Sequence, residues 1–403
     1  MSEINGALSG LKIVACSTAQ AGTVPYMLMA DLGAEVIKIE TPGKGDNNRN
    51  SGFLEGEIGS FFETNNRGVK SLTLNLKSED GQKILHTLIK DADVFGQNFR
   101  PGVAKKLNFD YETLSKINPK IVYASVSAYG PDAPDGHLPG TDAVGQALSG
   151  IAEAYSIPGN NLRTGVASVA DESCAILTFG GILAAYINAQ KTGKGQKLET
   201  SLVGSAFRLL GWTMTTAMWS NRPPITGARI NGTRERPGIA ACFNDINGKP
   251  FALQLDPDDW QEAMKALNFF DILTENGLID LGLAFESEIK KTEILDKLAE
   301  LFSTDTRDNW ISVLRKADMI STHVNTMLEA SNDPNIKENN YVTEVWYPEL
   351  NKNMKVHGTP WKFSKTPANI KRAPKLGEHN TEILSGLGYT KDEIESFKDD
   401  KII

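Results

Sequence analysis

The chain has 403 residues, 40% hydrophobic and 23% charged, a mix that fits a globular protein of two or three domains and excludes wholesale disorder. Its 42 basic and 50 acidic residues give a formal charge of −8, which excludes a nucleic-acid binder built on a broad basic face. Three scattered cysteines, Cys16, Cys174 and Cys242, form no CxxC pair; they offer neither a disulfide framework nor a cysteine zinc site and suit a reducing cytoplasm.

The opening MSEINGALSG lacks the basic and apolar regions of a secretory signal. The next 120 residues alternate in a βα manner. Residues 11–16 read as a short apolar strand, 24–32 as a helix, and AEVIKIE at 34–40 as an alternating strand. SLTLNLK at 71–77 is strand-like. Ser78 is placed to cap a helix running to about residue 91, with Ile84, Leu85, Leu88 and Ile89 on one face. Strands over 92–99 and 120–129 flank a helix near 110–117. This order predicts a largely parallel sheet covered on both faces. A Gly- and Pro-bearing loop at 130–140 leads into a helix over 142–154. An apolar helix follows Asp171; its uncharged stretch is short enough for a buried core helix rather than a membrane span. A TGKGQ turn, a strand at 197–202 and a helix to about Trp219 follow.

At NRPP (221–224) the texture changes to a strand pair around Gly248 and then charged amphipathic helices. SNDPN at 331–335 reads as a linker back. The expected organisation is a large domain from 1–222 and 331–403, with a smaller α+β domain inserted at 223–330. Two strands, 342–350 and 354–363, and a capped helix complete the chain.

Familiar sites are missing. The five histidines show no ligand spacing, so no metal is expected, and there is no GxSxG elbow or P-loop. The first strand is followed by STAQAGTVP rather than GxGxxG, which disfavours a nicotinamide dehydrogenase despite the βα pattern. What remains is a set of polar loops at strand ends, where parallel-sheet proteins bind ligands. Ser17–Gly22 enters a helix, Pro42–Asp46 is followed by Arg49, and Asn98–Gly102 by Lys105 and Lys106. Residues 1–125 carry 14 Lys/Arg and 14 Asp/Glu, so the acidic excess lies downstream and an anionic ligand fits best here. Asp171 stands between the run GVASVA and the apolar helix. Two readings are open: a helix N-cap, or a carboxylate kept ionised at the positive helix end and used as a nucleophile. Trp212, Met214, Met218 and Trp219 form an apolar stripe that would be either core or the wall of an acyl pocket.

The stretches LSGLKIV, MADLGAEVIKIETPGKGD, NRGVKSLTLNLKSEDG, QNFRPGVAKKL, INPKIVYASVSAYG, DAVGQALSG, TGKGQKLETSL, ASNDPNIKENNYV and RAPKLGEHNTEILSGLGYT run over nearly the whole chain. Together they resemble the class III CoA-transferases (the CaiB/BaiF, or formyl-CoA transferase, family). The resemblance implies a Rossmann-like large domain, a smaller inserted domain, an interlocked homodimer and a cytoplasmic enzyme. It implies coenzyme A as co-substrate, no metal, and transfer of CoA from an acyl-CoA to a small carboxylic acid. By it, Asp171 is the nucleophile and Gln20 lies near the reacting centre. Ala21, Lys77, Asn98, Phe99, Arg100 and Lys106 would contact CoA.

The pattern also departs from the family. Thr141 stands where many members have an aromatic residue, Val69 replaces a frequent lysine, and the glycine-rich loop of the formyl-CoA branch is missing. GTRERPGIAACF occupies that region, which makes Arg234 and Arg236 candidate anchors for a substrate carboxylate. An α-methylacyl-CoA racemase on the same fold would need a histidine in a GHD motif. Here the residues are Gly140-Thr141-Asp142, with His137 the only substitute. A non-catalytic CoA-binding protein would keep the basic loops without requiring Asp171.

Overall fold

The computed structural model describes residues 6–155, 167–222 and 229–403, and the chain divides into two compact units. Met1–Pro224 and Lys337–Ile403 form the larger, Ile225–Ile336 the smaller.

In chain order the strands of the larger unit's first segment are β1 (Lys12–Cys16), β2 (Glu35–Glu40), β3 (Leu54–Glu55), β4 (Ile58–Gly59), β5 (Lys70–Thr73), β6 (Val94–Gln97), β7 (Val122–Ser127) and β8 (Lys197–Ser201). Six of them make one sheet of order β5-β2-β1-β6-β7-β8, and every pairing in it is parallel. The chain builds outward from β1 to β2 and β5, then returns to β6 on β1's other side. The strand order thus reverses between β1 and β6, where open parallel sheets leave a crevice at their carboxyl ends.

Successive side chains point to opposite faces. Val14 and Cys16 of β1 join one core cluster with Phe95, Tyr123, Ile84, Leu85, Ile383, Leu384 and Ile394. Ile13 and Ala15 join the other with Tyr26, Met29, Val94, Val122, Ile182 and Ala185. The first face is covered by the helices Glu79–Ile89, Tyr111–Ile117, Asn380–Gly386 and Lys391–Asp399, the second by Val24–Asp31 and Val169–Thr192. Ser78 caps the first of these helices as expected, accepting from the Gly81 N–H at 3.1 Å.

The smaller unit contains β9 (Ile230–Gly232), β10 (Pro237–Asn244), β11 (Pro250–Leu255) and β12 (Ile320–His323) in an antiparallel sheet of order β12-β11-β10-β9. Helices Trp260–Ala266, Glu288–Phe302 and Arg307–Lys316 pack on it around Phe243, Phe251, Phe302 and Trp260. The larger unit resumes with a hairpin of β13 (Val342–Tyr347) and β14 (Lys352–His357). The expected boundary at residue 223 falls on 223–228, outside the described residues.

The structure corrects several local expectations. The strand-like run to Lys77 ends at Thr73, because the Asn75 N–H turns away to the Ile402 carbonyl. The helix expected over 142–154 breaks at Gly150 (φ 91°), and the one expected to reach Trp219 breaks at Gly211 (φ 53°). The apolar helix Val169–Thr192 is long and apolar enough to cross a membrane, yet it packs on the sheet along one side only. Ala170, Cys174, Ala175, Thr178, Ile182, Ala185 and Ala189 are buried, whereas Ile176, Leu177 and Ile187 are exposed. The stripe Trp212–Trp219 is not core either: the helix Gly211–Ser220 buries no residue, and Trp212 and Trp219 are 79% and 86% exposed.

Candidate active site

Because all six strands are parallel, every loop leaving a strand's carboxyl end lies along one edge of the sheet. The loop after β1 meets the loop after β6 at the reversal of strand order. Asn98 joins them: its Oδ1 accepts from the Thr18 N–H at 3.0 Å and its Nδ2 donates to the Thr18 carbonyl at 2.8 Å. Gly22 is required by this approach, since a Cβ there would overlap the Asn98 amide. Ala19 takes the left-handed φ of 60°, and Thr23 donates its hydroxyl to the Ala19 carbonyl. Gln97 orders the next turn, donating to Ser125 Oγ at 2.7 Å while its Oε1 accepts from the Phe99 N–H at 2.7 Å.

Behind this edge lies a buried charge network. Lys38 Nζ donates to the Ser17 carbonyl at 2.7 Å and pairs with Asp46 at 2.9 Å. Arg49 grips Glu40 through two nitrogens at 2.9 and 2.6 Å. Arg49, grouped from sequence with the ligand-facing cations, is therefore committed to holding the loop after β2, and burial leaves it little freedom for a ligand.

Asp171 lies in the first turn of the helix Val169–Thr192. It is not the N-cap expected from its position: Ser168 is, and Val169 and Ala170 of the GVASVA run are already helical. Residues 165 and 166 of that run lie outside the described residues. Ser168 supplies no side-chain cap. Asp142 supplies it from 28 residues upstream, its Oδ1 accepting from the N–H groups of Ala170 (2.8 Å) and Asp171 (3.1 Å). Gln146, one turn on from Asp142, donates to the same carboxylate and to the Ala167 carbonyl. Capping satisfies two amide groups that a helix start leaves without intrahelical partners.

The cap and its surroundings reverse one expectation. Asp171 is not held ionised by the helix end. Its half-buried carboxyl is pushed up to about 7, first by burial, then by the negative charges of Asp142 and Glu172. Gln20 reaches the same place from the β1 loop, its Nε2 donating to Glu172 Oε2 at 2.7 Å. Ala21 is buried against Ala170, Cys174 and Leu202, which seats the loop on the helix start. Gln20 and Asp171, 151 positions apart in sequence, thus flank the single residue Glu172.

The remaining candidates are more dispersed. Phe99, Arg100 and Lys105 line a cleft of about 520 Å³ together with Tyr123, Ser127 and His137. Phe99 is 36% exposed and its ring lies 5.4 Å from that of Phe109. Lys106 is exposed at the end of the short helix Val103–Lys106. Lys77 is exposed in the turn after β5, three strands from β6. At about 4.8 Å per strand, a ligand touching both loops must span on the order of 14 Å. Asn98 has its side chain spent on Thr18, and Ala21 has its methyl in the core, so neither presents a free side chain to a ligand. Thr141 is exposed, immediately before Asp142. Arg234 and Arg236 belong to the smaller unit and are already paired, Arg234 with Asp280 (3.1 Å) and Glu286 (2.8 Å), Arg236 with Asp258 (3.4 Å). These pairs are solvent-exposed, so a substrate carboxylate would compete with the acids for each guanidinium.

Sequence reading missed Glu172 and the capping role of Asp142. The Asp142–Gln146 spacing, one helical turn, is a local signal of a polar pair; nothing local connects it to residue 170.

The model of CoA-transferase family III matches residues 8–380. An acetyl-CoA:oxalate CoA-transferase of Acetobacter aceti is 29% identical across 94% of this chain and 95% of its own. A formyl-CoA:oxalate CoA-transferase of Escherichia coli O157:H7 (strain EC4115 / EHEC) is 27% identical across 98% and 99%. Among solved structures, a CAIB/BAIF family protein from Brucella suis superposes with a TM-score of 0.83 at 25% identity, covering 95% of this chain and 100% of that one.

Proposed function

The chain belongs to CoA-transferase family III, whose members act on CoA thioesters, and from that premise we propose that it moves CoA from an acyl-CoA to a free carboxylic acid through covalent intermediates on Asp171. The observation that carries the reading is a half-buried carboxyl in a helix's first turn, beside an amide donor, Gln20, tethered to the next residue.

The chemistry needs no external energy source. An oxygen of ionised Asp171 attacks the thioester carbonyl; the C–S bond breaks, CoA leaves as thiolate, and a mixed anhydride forms. The thiolate then attacks the aspartyl carbonyl of the anhydride, releasing the donor acid as carboxylate and leaving an aspartyl-CoA thioester. The acceptor carboxylate attacks that thioester and again expels thiolate. Attack of the thiolate on the acceptor's acyl carbon yields the new acyl-CoA and frees Asp171. Each substitution trades one activated acyl group for another, the advantage of covalent catalysis. Each also develops an oxyanion that a fixed N–H donor would stabilise, a part that the proposal gives to Gln20. A carboxylate titrating near 7 is closer in basicity to a thiolate, about 8.5 for a free thiol, than an ordinary aspartate is, which makes displacement of CoA less uphill.

Arg100, Lys105, Lys106 and Lys77, with Lys44 in the loop after β2, are exposed cations along the carboxyl edge that would serve the phosphates of CoA, with Phe99 beside Arg100. The acceptor class follows from the relatives, two of which carry oxalate in their names. A second copy of the chain would cover the apolar residues left exposed on the helices Val169–Thr192 and Gly211–Ser220, in keeping with a homodimer.

The test is incubation of the purified protein with a panel of acyl-CoA donors and free acids, including oxalate, read by mass spectrometry for exchanged thioesters. Hydroxylamine added during turnover is expected to leave a hydroxamate on the Asp171 peptide. Turnover by Asp171→Ala at the wild-type rate would refute the assignment. Solvent deuterium entering C2 of a 2-methylacyl-CoA without acceptor acid would instead identify a racemase.

A further inference from the structure

The loop after β1 is pinned through its backbone by Asn98 and Thr23, but among the described residues the side chain of Gln20 has one hydrogen-bond partner, Glu172. A carboxamide nitrogen carries two hydrogens. When one is given to Glu172 Oε2 at 2.7 Å, the amide nitrogen is anchored and the second hydrogen stays available to another acceptor.

Glu172 gains little for itself. It is exposed, and its hydrogen-bond partner among the described residues is the uncharged Gln20. Its charge also opposes ionisation of the adjacent Asp171. An acid in a helix's first turn gains some compensation from the helix dipole, but Asp171 and Asp142 already place carboxylates there. The arrangement makes sense if the beneficiary is Gln20.

We propose that Glu172 is a positioning residue: it holds the Gln20 amide so that its second N–H faces the oxygen on which charge develops when Asp171 attacks the thioester. This rests on the nucleophile assignment above. Glu172 touches no reacting atom; at pH 8, where Asp171 is mostly ionised despite the Glu172 charge, its effect on turnover passes through Gln20.

The decisive set is Glu172→Ala, Glu172→Gln, Gln20→Ala and the Gln20→Ala/Glu172→Ala double variant, assayed at pH 8 where Asp171 is ionised. Loss of the tether is expected to lower kcat about tenfold in Glu172→Ala, the scale of a misplaced catalytic donor, with KM for the acyl-CoA nearly unchanged. Glu172→Gln keeps an acceptor oxygen for the Gln20 N–H and should restore most of kcat. The double variant should be no slower than Gln20→Ala, because a residue acting through another adds nothing once that other is gone. Wild-type kcat in Glu172→Ala, a Glu172→Gln variant as slow as Glu172→Ala, or additive losses in the double variant would each overturn the proposal. A crystal structure of Glu172→Ala supplies a readout without turnover: the Gln20 amide is expected to leave its place, and an unmoved amide counts against the proposal. Absence of transfer by the wild-type protein would sink the parent assignment instead, and the crystallographic result would still decide whether Glu172 positions Gln20.

Discussion

The pH dependence of the first chemical step tests the site most directly. Asp171 titrates near 7 because burial and the charges of Asp142 and Glu172 penalise its ionised form. Only the carboxylate attacks, so the single-turnover rate of acylation should follow its ionised fraction, about 10% at pH 6 and about 90% at pH 8, a rise of roughly ninefold. An ordinary aspartate, ionised above about pH 5, would give a flat profile over the same range. Replacing Asp142 by Asn removes a negative neighbour while Oδ1 can still accept from the Ala170 and Asp171 N–H groups. The midpoint is therefore expected to fall in Asp142→Asn with little change in the plateau. The assay is rapid mixing with acyl-CoA between pH 5.5 and 8.5, quenched and read as acylated protein by intact mass. A rate independent of pH across that window, or a midpoint unmoved in Asp142→Asn, would refute the electrostatic account of the site.

The same shift has a consequence for stability. The folded carboxyl binds its proton more tightly than the unfolded one, so Asp171 costs nothing below about pH 4, and the cost grows as pH rises to its full value above about pH 7. Asp171→Asn should raise the thermal midpoint at pH 8 by the equivalent of about 2 kcal/mol, after discounting for partial exposure, with the gain vanishing toward pH 4; equal midpoints at pH 8 would contradict this. Asn98→Ala removes both bonds to Thr18 and is expected to cost about 1–3 kcal/mol in denaturant unfolding and to slow acylation. Arg236→Ala, by contrast, breaks only an exposed pair and should change stability by under about 0.5 kcal/mol. For self-association, Trp219→Glu places a charge on the exposed apolar helix and should shift the mass measured by light scattering toward the single chain; an unchanged mass would place any interface elsewhere.

Much of this was readable from the chain because it is local. Alternation and apolar runs mark β1, β2, β6 and β7 as strands of one parallel sheet, and Ser78 announces the helix it caps. Polar loops after those strands point to one edge as the place for a ligand, since parallel strands put all their carboxyl ends together. The exposed Trp212 and Trp219 show where local reading fails, since a hydrophobic stripe does not say which surface covers it.

Sequence alone settled the residue types at the edge: an aspartate at a helix start, a glutamine in place of a glycine fingerprint, and basic residues two loops away. It could not say which charges are free. Arg49 and Arg234 look alike in the sequence, as unspent cations, yet the fold pairs one with Glu40 in the interior and the other with Asp280 and Glu286. Nor could it say that Asp142 caps a helix 28 residues away, or that Gln20 rests on Glu172 from across 152 positions. Burial, and the charges of Asp142 and Glu172 that the fold brings close, decide the basicity of Asp171. Desolvation and Coulomb energies depend on distance in space, and only the folded chain sets those distances.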